Sequence, residues 1–223
     1  MIRSKCRSGL LLAGLLVALP GVAAAQDASE MVRFNIGSVQ YEMPLPAGYC
    51  LPTGTAANSA SLMAAVDKQN LTLQTFYPCD NNSADSTEYF LIKVPRTVVM
   101  VPITRAQLLP MMEQTFQDPA FLASLQSVGE EVSADITEVA NQEASVTGTI
   151  EPSGIDDRCA YLTGKLRFVG AGKDYTLSNA GCMTATGSRM FTIYRYADEN
   201  QNPASLKPIV KAVAETIRVV ETD

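Results

Sequence analysis

The stretch RCAYLTGKLRFVGAGKDYTLSNAGC, from Arg158 to Cys182, constrains this fold more than any other part of the chain. Two runs flank the turn-forming sequence VGAGK. An antiparallel pair centred on Gly170-Ala171 sets Cys159 directly opposite Cys182. The same register makes Arg167 face Asp174, Lys165 face Thr176, Thr163 face Ser178 and Tyr161 face Ala180, one largely polar face with an opposite-charge pair. On the other face Leu166 meets Tyr175 and Gly164 meets Leu177, and apolar residues dominate. Because side chains alternate with period two, a one-residue slip would scramble both faces.

Facing residues of a non-hydrogen-bonded antiparallel pair have Cα atoms within reach of a disulfide. The spacing therefore predicts Cys159–Cys182 as a cross-strand staple. Four cysteines remain beyond an N-terminal leader, and four allow three connectivities. With Cys159 and Cys182 joined, elimination leaves Cys50–Cys79, each bridge stabilising by on the order of 3 kcal/mol. A reactive thiol is disfavoured, since the chain has no Cys-x-x-Cys and no histidine to lower a thiol pKa. A four-thiolate zinc site wants two close-spaced pairs, which are absent.

That leader is MIRSKCRSGLLLAGLLVALPGVAAAQ. Arg3, Lys5 and Arg7 precede an apolar run from Leu10 to Val22, and Ala23-Ala24-Ala25 supplies a small-residue cleavage site before Gln26. Residues 1–25 are expected to be a signal peptide and 26–223 a single domain. Cys6 lies in the basic region rather than at the cleavage point, which argues against lipid anchoring. The alanine-rich cleavage region has a bacterial look, so the expected address is the periplasm or the outside of the cell. No later stretch approaches the ~20 apolar residues a membrane helix needs. Loss of the three basic residues takes the net charge from −6 to −9. Such a chain is repelled by phosphate backbones and anionic lipid, so neither nucleic acid nor a membrane surface is an expected partner.

The chain contains no histidine. Ser-His-Asp and Cys-His mechanisms need an imidazole, and catalytic zinc ordinarily takes at least one. The sequence also lacks Ser-x-x-Lys, Gly-x-Ser-x-Gly, a phosphate loop and a complete Gly-x-Gly-x-x-Gly, since Tyr175 occupies the last glycine position after Gly170 and Gly172. A two-carboxylate glycosidase needs only acids, and Asp156-Asp157 and Glu130-Glu131 are the adjacent pairs. The segment DNNSADSTE resembles half a calcium loop through Asp80, Asn82, Ser86 and Glu88. Asp85 replaces the glycine at the sixth position, Ala84 the fifth ligand and Leu91 the final acid, so a hydrophilic loop is expected instead.

Apolar alternation from Met31 predicts a strand with a bend at Gly37. A turn-rich connector, PLPAGYCLPTG, leads to a short helix over Asn58 to Gln69. Strands are expected at Leu71 to Cys79, Tyr89 to Val94 and Thr97 to Val101. Thr104 and Gln107 form a capping-box pattern before a helix holding Leu108, Leu109, Met112 and Phe116, with Pro110 kinking or shortening it. Asp118-Pro119 starts another helix, which Gly129 is expected to end. Val132 to Val139 and Ala144 to Ile150 are expected as strands, followed by the Cys159–Cys182 hairpin and a strand from Arg189 to Tyr196. Asn202-Pro203 caps a final helix whose stripe is Leu206, Ile209, Val210, Val213 and Ile217. Together these predict an α+β fold, an antiparallel sheet (meander) with helices packed against it, including a C-terminal amphipathic helix.

An opening strand running into MPLPAGY, a central helical region, a β-meander and the C-terminal helix SLKPIVKAVAETI make this order resemble the PsbP-like fold, which includes lumenal photosystem subunits and bacterial envelope relatives. The resemblance covers most of the chain beyond the leader and is topological. It implies a small non-catalytic binding or assembly domain and carries over no functional residue. The expectation is an exported, non-enzymatic domain that binds a protein partner or small ligand in the bacterial envelope. A carboxylate-based hydrolase acting on glycans and a structural envelope component are the alternatives. No catalytic, cofactor-binding or metal-binding residue is assigned; the structural positions named are Cys50, Cys79, Cys159 and Cys182.

Overall fold

The computed structural model describes residues 30–83, 85–140, 143–170 and 172–221. The expected signal peptide lies outside the described residues. The architecture is α+β, with two antiparallel sheets and four helices among the described residues. Strands β1 (Met31–Ile36) and β2 (Val39–Pro44) form a hairpin that the two-residue strand β10 (Arg218–Val219) extends. The larger sheet contains β3 (Tyr49–Cys50), β4 (Asn70–Pro78), β5 (Tyr89–Pro95), β6 (Ala144–Ile155), β7 (Ala160–Gly170), β8 (Lys173–Thr186) and β9 (Arg189–Asp198), in the order β3-β4-β5-β9-β8-β7-β6.

The helices are α1 (Gly54–Val66), α2 (Arg105–Thr115), α3 (Pro119–Ala140) and α4 (Lys207–Thr216). One face of the large sheet packs against the small sheet and α4. Alternation drives this contact: Val32, Phe34 and Ile36 turn inward from β1 to meet Phe76, Phe90, Ile92, Phe191 and Ile193. Val210, Val213 and Ile217 close the core from the helix side. On the opposite face, Leu108, Met112 and Leu125 from α2 and α3 cover Ala160, Leu162, Met183 and Ala185. Beside them, Ala56 and Ala60 of α1 lie over Tyr77, Tyr89, Leu91 and Leu177.

Both disulfides are present, Cys50–Cys79 and Cys159–Cys182. The register around the second differs from the expected one by two residues. Tyr161, not Cys159, faces Cys182, and Arg167 faces Thr176. Gly170 pairs with Lys173, and Gly172 takes φ +75°, the left-handed conformation a tight hairpin turn requires. A shift of two keeps every side chain on its face, so Leu166 still meets an apolar partner, now Leu177. Arg167 and Asp174 survive as a diagonal ion pair at 2.6 Å. Cys159 sits one residue before β7 and reaches Cys182 diagonally, with Cα atoms 5.1 Å apart.

Three other expectations are overturned. Val132 to Val139 is helix, not strand: α3 runs unbroken for 22 residues through Gly129. The helix lies so close to β6 that a Cβ on Gly129 would come within 2.5 Å of the Val146 carbonyl oxygen. The Ser133 hydroxyl donates to Gly129 O and accepts the Val146 N–H at 2.7 Å, so helix and strand are laced together. Thr97 to Val101 is not a strand either. Arg96–Val98 forms a 3₁₀ turn between Pro95 and Pro102, which deny the ladder its N–H groups. Gly37 makes the β1–β2 hairpin turn, at φ +60°, rather than a bend within one strand.

Two predictions test this packing. Gly129→Ala raises helix propensity by about 1 kcal/mol. It should nevertheless destabilise by about 1–3 kcal/mol in chemical denaturation, because the backbone of β6 occupies the space. Asn179, on β8 between Gly164 and Tyr196, is 1% exposed and both polar atoms of its amide lack a partner. Asn179→Leu should therefore stabilise the fold by about 1 kcal/mol, since buried unpaired polar atoms are costly; a lower denaturation midpoint would contradict this.

Candidate functional site

An apolar groove of about 480 Å³ runs between the β2–β3 connector and α4. Pro44, Leu45, Pro46 and Ala47 form one wall, and Ile209, Ala212, Val213 and Thr216 the other. Tyr49 and Phe90 lie at its base, edge to face with centroids 4.8 Å apart. Local chemistry explains the gap. Prolines 44, 46 and 208 have no N–H to donate, which removes three backbone donors from the two walls. The connector is anchored where Tyr49 and Cys50 pair with Pro78 and Tyr77, and the Cys50–Cys79 bridge fixes that corner.

Behind the base sits Arg195, 7% exposed, with its guanidinium 5.1 Å from the Tyr49 ring centroid and 5.0 Å from that of Phe90. It pairs with Glu88 at 2.8 Å, and the Tyr49 hydroxyl also donates to Glu88. Burial pushes the Tyr49 phenol up, against the pull of Arg195. This cluster stiffens the aromatic base and holds its charge away from the groove.

A second recess, about 310 Å³, opens on the other flank of α4. Gly154, Asp156, Tyr161, Lys207, Pro208 and Lys211 line it. Asp156 and Asp157, the adjacent acids of the sequence, both bind Lys211, at 3.0 and 2.7 Å. Asp156 also accepts the backbone N–H groups of Arg158 and Cys159 and the Tyr161 hydroxyl, each at 2.8 Å. Burial pushes the Asp156 carboxyl up, but the Cys159 and Arg158 N–H groups, Lys211 and Tyr161 outweigh it and hold it at about 2. A general acid needs the opposite shift. This carboxylate instead shapes the chain entering β7.

The other sequence candidates lie apart. Glu130 and Glu131 are exposed on α3. In the Asp80 to Glu88 loop, Asn82 bonds Leu51 O and Thr53 N, Ser86 bonds Glu88 O, and Glu88 serves Arg195. These oxygens tie the loop to its surroundings. Among the described residues no three His, Cys, Asp or Glu side chains converge as a metal site, and no helix is long and apolar enough to cross a membrane. Sequence reasoning missed the groove. In the sequence Ile209 reads as part of the apolar stripe of α4, yet it is 42% exposed, because it forms the groove wall instead of the core.

The depressed Asp156 pKa sets a pH window. A carboxylate lowered on folding contributes stability above its unfolded value, and that contribution is lost as pH falls through the folded value. Asp156→Asn should be less stable than the parent at neutral pH. The gap should close between about pH 4 and pH 2 in urea titrations.

No protein-family model matches the chain, and no curated protein sequence matches it significantly. Among solved structures it is similar to the solution structure of cyanobacterial PsbP from Synechocystis sp. PCC 6803, with a TM-score of 0.41 and 13% identity over 93% of this chain and 100% of that one. The PsbP-like resemblance read from the element order is present as a weak one.

Proposed function

We propose that residues 26–223 form one exported, non-enzymatic binding domain of the bacterial envelope that holds a small apolar ligand in the groove between the β2–β3 connector and α4. The observation that carries this is the groove itself. Its volume of about 480 Å³ lies within the roughly 300–1,000 Å³ of small-molecule sites. Every lining side chain but those of Tyr49 and Thr216 is wholly apolar, and the base is aromatic. Two disulfides suit an oxidising, extracytoplasmic compartment. The Cys50–Cys79 bridge and the Arg195 cluster preorganise the base, which lowers the cost of binding.

The neutral dye N-phenyl-1-naphthylamine tests the reading, because its emission rises in an apolar site. The protein should give saturable one-site enhancement. Ala212 is exposed on the groove wall, so Ala212→Trp should fill the space without disturbing the core and weaken binding at least about tenfold, with an unchanged circular dichroism spectrum. Absence of saturable binding, or equal affinity in the variant, would overturn the proposal.

A further inference from the structure

The groove and the polar recess meet at Pro208, the one residue that lines both. The groove has no charged side chain, whereas the recess holds two lysines and an aspartate. The two lysines differ in what they are free to do. Lys211 is committed to Asp156 and Asp157. Lys207 has no carboxylate within ion-pair distance among the described residues. Its ammonium donates to the Ser153 carbonyl and lies 4.6 Å over the Tyr161 ring. An ammonium has three donors, and this arrangement leaves capacity for an incoming acceptor. Gly154 keeps the approach open: a side chain there would begin 3.8 Å from the Lys207 nitrogen, at a φ of +90° that disfavours one.

Resting on the reading of the groove as a ligand site, we propose that the ligand is amphipathic: a single-chain carboxylate whose hydrocarbon lies in the groove and whose head crosses Pro208 to Lys207. Charge complementarity selects the head. A cationic head would meet two lysines, and a neutral one would leave Lys207 without a counter-charge. A doubly charged phosphate would meet Asp156 and Asp157, which already neutralise Lys211, in a domain whose net charge without the leader is −9. One negative charge matches the one lysine of the recess that has no carboxylate partner among the described residues.

Isothermal titration with decanoate, 1-decanol and decyltrimethylammonium, each also tested for displacement of N-phenyl-1-naphthylamine, decides the matter. Decanoate should displace the dye and bind at least about tenfold more tightly than either other compound, with a preference that shrinks as salt rises. Lys207→Gln should abolish the preference while leaving 1-decanol affinity within about twofold, and Lys207→Arg should retain it. Equal binding of decanoate and 1-decanol, a preference that survives Lys207→Gln, or decanoate that binds without displacing the dye would each overturn the carboxylate inference and leave the groove reading standing. Failure of all three compounds to bind would overturn the groove reading itself.

Discussion

Strand β8 is buried on both faces, and the rest of the fold is arranged around that requirement. From Leu177 to Ala185 every residue is buried. One side faces the small sheet and α4, the other faces the helices. Four of its residues are small, Ala180, Gly181, Cys182 and Ala185, and they leave room for the layers on either side. Gly181 makes room for a neighbour, since the Tyr194 ring lies 2.8 Å from where a Cβ would sit. The bulk of the core comes from the neighbouring strands, through Phe191, Ile193, Phe90 and Ile92. Two polar residues in the run find partners in the same crowded space, Ser178 donating to Gln201 O and Thr184 to Arg158 O, while the Asn179 amide finds none. The Cys159–Cys182 bridge crosses this core and ties β8 to the chain entering β7.

The groove is a by-product of how the second layer is closed. The small sheet covers only part of the large sheet, and α4 covers the remainder with Val210, Val213 and Ala214. Between them the connector is proline-rich and offers few N–H groups to the helix. Apolar surface is left facing apolar surface across a gap, on a base held by a disulfide and by an arginine stacked against two rings. Binding there requires little new ordering, because the walls are regular elements and the base is already fixed.

What was legible in the sequence was local or pairwise. The Thr104–Gln107 capping box bonds as expected, Asp118 caps α3 through Ala120 N, and Asn202 accepts from Ala204 N. The α+β class followed from periodicity and the disulfide pairing from hairpin logic, even though the register was off by two. What was illegible depended on tertiary contact. Gly129 signals a helix end when read alone, and only the closeness of β6 explains a glycine inside α3. Val132, Ile136 and Val139 carry helical spacing, but the expected stop at Gly129 concealed it. The groove joins Pro44–Ala47 to Pro208–Thr216, segments whose proximity no local pattern encodes. The burial of β8 was hidden for a related reason: a strand enclosed on both sides is usually a continuous apolar run, and LSNAGCMTA, with Ser178, Asn179 and Thr184 in it, does not read as one.

The ionisable groups give the molecule a fixed charge pattern across the neutral range. With no histidine, no side chain of the described residues has an ordinary pKa near 7 except the thiols, and those cysteines are bridged. The carboxylates that shift go down, Asp156 to about 2, under hydrogen bonds and lysine partners. The tyrosines that shift go up, Tyr41 and Tyr194 to about 12, under burial. Proton-transfer catalysis works best with a group poised near ambient pH, and these environments move groups away from it. The same environments suit a binding site, because the charge pattern a head group would meet in the recess does not change around neutral pH. Selectivity in such a site comes from where charge is left uncompensated, and within the recess beside α4 that place is Lys207.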